Sequence, residues 1–213
     1  MTPGLLISFE GSEGCGKSTQ IQRLRARLEN AGRTVLMLRE PGGTLIGEHI
    51  RTLLQHTPEA AALSPEAELL LFAASRAQLV REKIRPSLDA GNVVVLDRFL
   101  DSTTVYQGIA RGLPLDSVHA INHFAVGGTL PHLTIVLDMS ASAAWERIRA
   151  SGRELDRMES EPLEFFEKVR QGYLHLAVEQ PDRMVVLDAA QSPEAIETQI
   201  WKLVEDRCHA LQS

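Results

Sequence analysis

Leu5-Leu6-Ile7-Ser8-Phe9 runs through Glu10 into Gly11-Ser12-Glu13-Gly14-Cys15-Gly16-Lys17-Ser18, and this stretch decides the fold. The apolar run is too short for an amphipathic helix and reads as a buried strand. The turn after it has the form G-x-x-x-x-G-K-S, a phosphate-binding loop. Consecutive backbone N–H groups in such a loop wrap an anion, and the positive end of a helix starting near Gly16 points to the same place. The amphipathic segment Thr19 to Asn30 supplies that helix. Residues Gly11, Ser12, Glu13, Gly14, Cys15, Gly16, Lys17, Ser18 and Thr19 are therefore the expected nucleotide-phosphate site, in preference to a flexible glycine-rich turn. Lys17 is placed to reach the outer phosphates, and the Ser18 hydroxyl to ligate Mg²⁺.

Working outward, the same short apolar pattern recurs at Val35–Leu38, Val93–Leu96, Leu133–Leu137 and Met184–Leu187, with helical segments between. This is the signature of an α/β fold: a five-stranded parallel sheet covered by helices on both faces, with ligands at the carboxyl ends of the strands. Asp97, Asp138 and Asp188 each end a strand, so an aspartate there is uninformative by itself. Ser64-Pro65-Glu66 and Ser192-Pro193-Glu194 open helices, each with a capping serine, a proline at the first helical position and an acid in the first turn. Ile196, Ile200, Leu203 and Val204 mark the core face of the last helix. Another helix begins at Glu161-Pro162 and ends before Pro181, and its stripe of Phe165, Phe166, Val169, Tyr173 and Leu176 reads as packing. Pro86 interrupts the helical pattern from Pro65 to Asp89, which predicts a kink or break there. Without repeats, low-complexity tracts or an obvious linker, residues 1–213 read as one domain.

Lys plus Arg number 22 and Asp plus Glu 28, giving a formal charge of -6 with no long run of either sign. This argues against a general nucleic-acid or anionic-membrane binder. No apolar stretch approaches the roughly 20 residues that span a bilayer, and no basic-then-apolar leader is seen, so a cytoplasmic protein is expected. Cys15 and Cys208 form neither a disulfide framework nor a metal motif and should be reduced. Cys15 reads as a small side chain filling a tight turn rather than a site of thiol modification. His119 and His123, spaced i, i+4 without a third ligand nearby, read as a polar helix face.

The Asn-Lys-x-Asp segment of GTPases is not found, and Asp97 is followed by Arg98 where motor ATPases usually carry an acidic pair. Asp97 can take Mg²⁺ through its water shell, and the Arg98 guanidinium can grip an acceptor phosphate by two parallel bonds. A strand-end ion pair is the bland alternative.

Further segments fit the same scheme: Arg39-Glu40-Pro41-Gly42-Gly43-Thr44; Leu71-Phe72-Ala73-Ala74-Ser75-Arg76; Asp97-Arg98-Phe99 followed by Ser102-Thr103 and Tyr106-Gln107-Gly108; and Gly152-Arg153-Glu154-Leu155-Asp156-Arg157-Met158-Glu159. In this order and spacing the chain resembles the bacterial thymidylate kinases over nearly its whole length. The resemblance implies a P-loop nucleoside monophosphate kinase fold, and transfer of the γ-phosphoryl group of ATP to dTMP with Mg²⁺. It also implies a homodimer formed by helix packing.

Residue by residue, the resemblance places Glu13 near the deoxyribose 3′-hydroxyl and the metal-bound phosphate region. Phe72 would stack on thymine, and Arg76, one helical turn later, would bond the base edge. Without the motif, Phe72 in so apolar a helix would read as core. Thr103 matches a base-contacting position, and Tyr106 one that lies against the sugar and disfavours a 2′-hydroxyl; Gln107 lies close by. Arg39 to Thr44 would flank the acceptor phosphate, with Arg39 either on that phosphate or paired to Glu40. Phe99 stands where relatives often have tyrosine or histidine. Residues 147–159 match a lid carrying Arg147, Arg149, Arg153 and Arg157. Because Gly14 stands where another family type has an arginine, the lid should supply charge to the transferring group, with Arg153 the first candidate and Arg149 the second. The acceptor phosphate, with a second pKa of about 6, needs no general base. Lys17, Mg²⁺ held through Ser18 and Asp97, Arg98 and a lid arginine would neutralise the moving charge. The alternatives are a kinase for another nucleoside monophosphate and a non-catalytic ATP-binding regulatory module.

Overall fold

The computed structural model describes residues 3–150, 152, 157–158 and 161–211; Arg153 lies outside them. Its strands are β1 (Leu5–Glu10), β2 (Val35–Arg39), β3 (Val93–Asp97), β4 (Leu133–Asp138) and β5 (Met184–Asp188). They form one parallel sheet in the order β2-β3-β1-β4-β5. Each strand runs one residue past the apolar stretch that marks it in the sequence. The ladder continues through polar residues, with Phe9 and Arg39 both opposite Asp97 and Asp138 opposite Asp188. Glu10, Arg39 and Asp97 are thereby gathered at the carboxyl edge.

The helices are α1 (Lys17–Asn30), α2 (Leu45–Gln55), α3 (Pro65–Leu79), α4 (Arg85–Asp89), α5 (Leu100–Thr103), α6 (Leu115–Val126), α7 (Ala141–Ala150), α8 (Leu163–Glu179) and α9 (Pro193–Ala210). Alternate strand residues face opposite ways, which explains why the runs are apolar throughout. Leu5, Ile7 and Phe9 pack in one core with Ile21 and Leu24 of α1 and Ile196 and Ile200 of α9. Leu6, Val94 and Leu96 point to the other face, against Leu79, Val80 and Ile84. The chain builds β2 and β3 on one side of β1 and then crosses to build β4 and β5 on the other. The carboxyl end of β1 is thus the reversal point, where open α/β sheets bind ligands.

The expected break at Pro86 falls a turn earlier, as a π-helical segment at Val80–Ile84, with the Arg85 N–H bonded to the Val80 carbonyl. Proline has no N–H and its ring crowds the carbonyl four residues back, so the widened turn precedes the ring instead of coinciding with it. A second π segment, Thr104–Ala110, carries Tyr106 and Gln107. No helix among the described residues is long and apolar enough to cross a membrane.

Candidate active site

The loop between β1 and α1 takes its shape from glycines with positive φ: 128° at Gly11, 75° at Gly14 and 95° at Gly16. A Cβ at Gly11 would lie 2.5 Å from the Leu137 carbonyl oxygen, and one at Gly14 2.6 Å from that of Ala144. Gly16 caps α1 without any side-chain hydrogen bond, so the first backbone N–H groups of the helix are left to an anion. Lys17 bends over the loop and its Nζ donates to the Ser12 carbonyl at 2.8 Å and the Gly11 carbonyl at 3.2 Å. Cys15 is buried in the core below, beside Phe9 and Ile21, in keeping with a side chain that fills the turn.

Arg98, directly after β3, is the non-glycine residue with positive φ (69°) among the described residues. Such a conformation costs free energy and persists where the surroundings fix it. Here the Arg98 N–H donates to the Phe9 carbonyl at 3.0 Å and the Phe99 N–H to Glu10 Oε1 at 2.8 Å. The turn throws the guanidinium across the loop. Its Nη1 donates to the Gly11 carbonyl and Ser102 Oγ at 3.1 Å each and to the Tyr173 hydroxyl at 3.2 Å, while Nη2 pairs with Glu13. It also stands over the Tyr106 ring, 5.1 Å from the centroid.

Beneath Arg98 lies Glu10, fully buried, whose Oε2 accepts from Ser102 at 2.6 Å and Tyr173 at 2.9 Å. Burial first, then neighbouring Asp101, push its carboxyl up to about 7, against the opposing pull of Arg98 and the two hydroxyls. Asp101 is itself held by two bonds from Arg183 at 2.7 and 2.8 Å. Glu10, Ser102 and Tyr173 were not among the expected site residues. Glu10 carries a faint signal as the one charged residue closing the apolar β1; the Tyr173 ring does pack, but its hydroxyl belongs to this polar network.

A cavity of about 470 Å³ runs from the loop to α3. Ser18, Thr19 and Asp97 line it near the loop, and Phe72, Arg76, Thr103, Tyr106 and Gln107 line its far end. Arg76 is 1 % exposed and heavily committed. Its Nε donates to Glu40 at 2.8 Å, Nη2 to Thr103 Oγ1 at 2.9 Å and the Phe99 carbonyl at 3.2 Å, and Nη1 to Asn122 Oδ1 at 2.8 Å. Thr103 thus orients Arg76, and among the described residues only the second Nη1 hydrogen is without a protein acceptor. Tyr106 is buried, its hydroxyl meets no acceptor or donor within hydrogen-bond geometry among the described residues, and its ring stands edge-on to Phe165 (6.0 Å, 64°) and Tyr173 (6.5 Å, 71°). That packing holds the ring in place.

Arg39 reaches the cavity and pairs with Glu48 at 2.9 Å, not with the neighbouring Glu40, which goes to Arg76. Gly42 and Gly43, with φ of 130° and 80°, give the loop after β2 a backbone that other residues rarely adopt. Arg51 and Gln55, one turn apart on α2, also line the cavity and were not anticipated from the sequence. Of the arginines expected on a lid, Arg147 lines the cavity, Arg149 is exposed and outside its lining, and Arg157 is tied to Glu68 and the Leu54 carbonyl.

A parallel sheet with a glycine loop of the phosphate-binding form at its reversal point, and Lys17, Arg98 and Phe72 lining one cavity beside it, is the architecture of a P-loop nucleotide kinase. A family model described as thymidylate kinase matches residues 9–200, and the chain belongs to that family. It is 50% identical over 200 residues to the thymidylate kinase of Syntrophotalea carbinolica, covering 92% of each chain. It is 44% identical over 209 residues to that of Deinococcus radiodurans, covering 98% of this chain and 100% of that one. The crystal structure of thymidylate kinase from Ehrlichia chaffeensis matches with a TM-score of 0.76 at 30% identity, over 95% of this chain and 99% of that chain.

Proposed function

We propose that the protein transfers the γ-phosphoryl group of ATP to dTMP, producing dTDP. The observation that carries this reading is that Lys17 and Arg98 line one cavity, with Phe72 and Gln107 at its far end. The loop N–H groups and Lys17 hold the phosphates of ATP, and Arg98 holds the phosphate of the acceptor. Both anions are thereby brought into contact, which is most of what phosphoryl transfer asks of a protein. A dianionic acceptor phosphate attacks without a general base. Phe72 gives the base its platform, Arg76 its remaining Nη1 hydrogen, and the wedged Tyr106 ring closes the space a ribose 2′-hydroxyl would need. Glu13, through its pair with Arg98, sits where the sugar hydroxyl and acceptor phosphate meet. The segment 147–159 acts as a lid that excludes water, with Arg147, Arg149 and Arg153 as its candidate cations.

Mg²⁺ fits the donors present. Ser18 and Asp97 line the cavity beside the loop with a hydroxyl and a carboxylate, and among the described residues no group of three or more His, Cys, Asp or Glu forms a closed protein cage. Two hard oxygen donors with water and phosphate completing the shell is how Mg²⁺ is commonly held. When bound, it neutralises charge on the transferring phosphates.

A cytoplasmic homodimer completes the reading. Leu70 of α3 and Phe124 of α6, 55% and 80% exposed, are apolar surface that a second copy would cover.

A coupled ADP-release assay with ATP, Mg²⁺ and, separately, dTMP, dUMP, UMP, AMP, GMP and CMP tests the function. Strong preference for dTMP is expected. Preference for another monophosphate would overturn the base pocket, and ATP binding without turnover would favour a regulatory module.

A further inference from the structure

Glu68 has no part in the phosphate chemistry proposed above, yet it is a heavily bonded carboxylate near the cavity. It lies on α3 one turn before Phe72 and is 2 % exposed. Its Oε1 accepts from Gln107 Nε2 at 2.9 Å and Arg111 Nε at 2.7 Å, and its Oε2 from Arg157 and from Arg111 Nη2 at 3.4 Å. Arg111 is anchored in turn to Glu161 at 2.9 Å.

Two guanidinium groups and an amide on one buried carboxylate keep it ionised: burial opposes this, but the hydrogen bonds hold its carboxyl below the usual range. An ionised carboxylate only accepts, whereas a glutamine amide has a donor end and an acceptor end. Gln107 must therefore turn its NH₂ to Glu68. Its carbonyl oxygen, which accepts no hydrogen bond among the described residues, is left to the cavity that Gln107 lines beside Phe72 and Arg76.

We propose that Glu68 is a specificity-determining positioning residue: it locks the Gln107 amide so that the pocket presents a fixed acceptor to the N3–H of an imide base edge, as in thymine or uracil. Cytosine carries an acceptor at N3, so it meets oxygen with nitrogen lone pair and leaves both unpaired. A buried polar group left unpaired costs enough to matter tenfold or more in binding. The proposal rests on assigning the Phe72 end of the cavity to the base.

Glu68→Gln tests it, because an amide at 68 can either accept or donate and so frees Gln107 to flip. The readout is the dTMP to dCMP ratio of kcat/KM, with the inhibition constant of dCMP against dTMP used where its turnover is too slow. The ratio should narrow about tenfold, with dTMP losing mainly in KM and dCMP not losing. Glu68→Gln combined with Gln107→Glu keeps one carboxylate in the cluster and restores an accept-only group at 107, so the ratio should return; this pair also carries the test if the single variant fails to fold. Parallel loss for both nucleotides, or no recovery in the double variant, would overturn the role of Glu68. Gln107→Leu separates the two layers: if it leaves the ratio unchanged, the base is not read at this end, and the pocket assignment itself falls.

Discussion

Replacing Glu10 by glutamine sets a buried charge against a neutral group of the same shape. In the unfolded chain this carboxyl loses its proton near 4.5, and in the fold burial and Asp101 delay that to about 7. Between those values the native protein holds a proton the unfolded chain has released, so stability falls as pH rises through the window. By pH 8 the interval amounts to roughly 3 kcal/mol set against the fold, and near pH 5 to less than about 1 kcal/mol. Glutamine removes this dependence and keeps an oxygen for the Phe99 N–H, though Ser102 and Tyr173 must re-aim their hydroxyls. Glu10→Gln should therefore be more stable than the parent at pH 8, by about 2 kcal/mol once some hydrogen bonding is lost, with the advantage vanishing toward pH 5. Urea unfolding followed by circular dichroism across pH 5 to 8 measures the difference and cancels the other titrating groups. A variant less stable by the same amount at every pH would refute the reasoning, since it would mean that the carboxylate is ionised in the fold and pays its way there.

Three other substitutions probe the remaining roles. Arg98→Lys replaces a fork that spans Gly11, Ser102, Tyr173 and Glu13 with a point charge, and steady-state kinetics should show kcat/KM for dTMP down by about 10³; a loss under tenfold would contradict the placement of the acceptor phosphate. Tyr106→Phe should leave thermal stability unchanged, because the lost hydroxyl has no hydrogen-bond partner among the described residues, whereas Tyr106→Ala should cost about 3–5 kcal/mol and raise turnover of the ribonucleotide UMP relative to dUMP. Unaltered sugar discrimination in Tyr106→Ala would remove the ring from that role. Arg147→Ala should lower kcat more than Arg149→Ala does, since Arg147 lines the cavity and Arg149 does not; the reverse order would take Arg147 out of the proposed role.

The strands and the phosphate loop were legible because their signals are local: apolar runs closed by a polar residue, and glycines at fixed offsets. The far wall of the cavity was legible as residue types but not as bonds. Arg76 meets Glu40 36 positions away and Gln107 meets Glu68 39 positions away, and only the crossing of α3 over the loops after β2 and β3 brings them together. The same limit hid Tyr173, whose place in an apolar stripe predicts packing and says nothing of a hydroxyl pointed at Glu10. Pro86 announced a disturbance in its helix, but where the strain is absorbed depends on the carbonyls of the preceding turn.

A crystal structure with dTMP and a non-hydrolysable ATP analogue bound together tests the central claim most directly. The ATP phosphates should lie on the loop N–H groups and Lys17, the dTMP phosphate on Arg98, and the thymine against Phe72 with its N3 facing Gln107. A dTMP phosphate seated in the glycine loop, or a base lying away from Phe72, would contradict it.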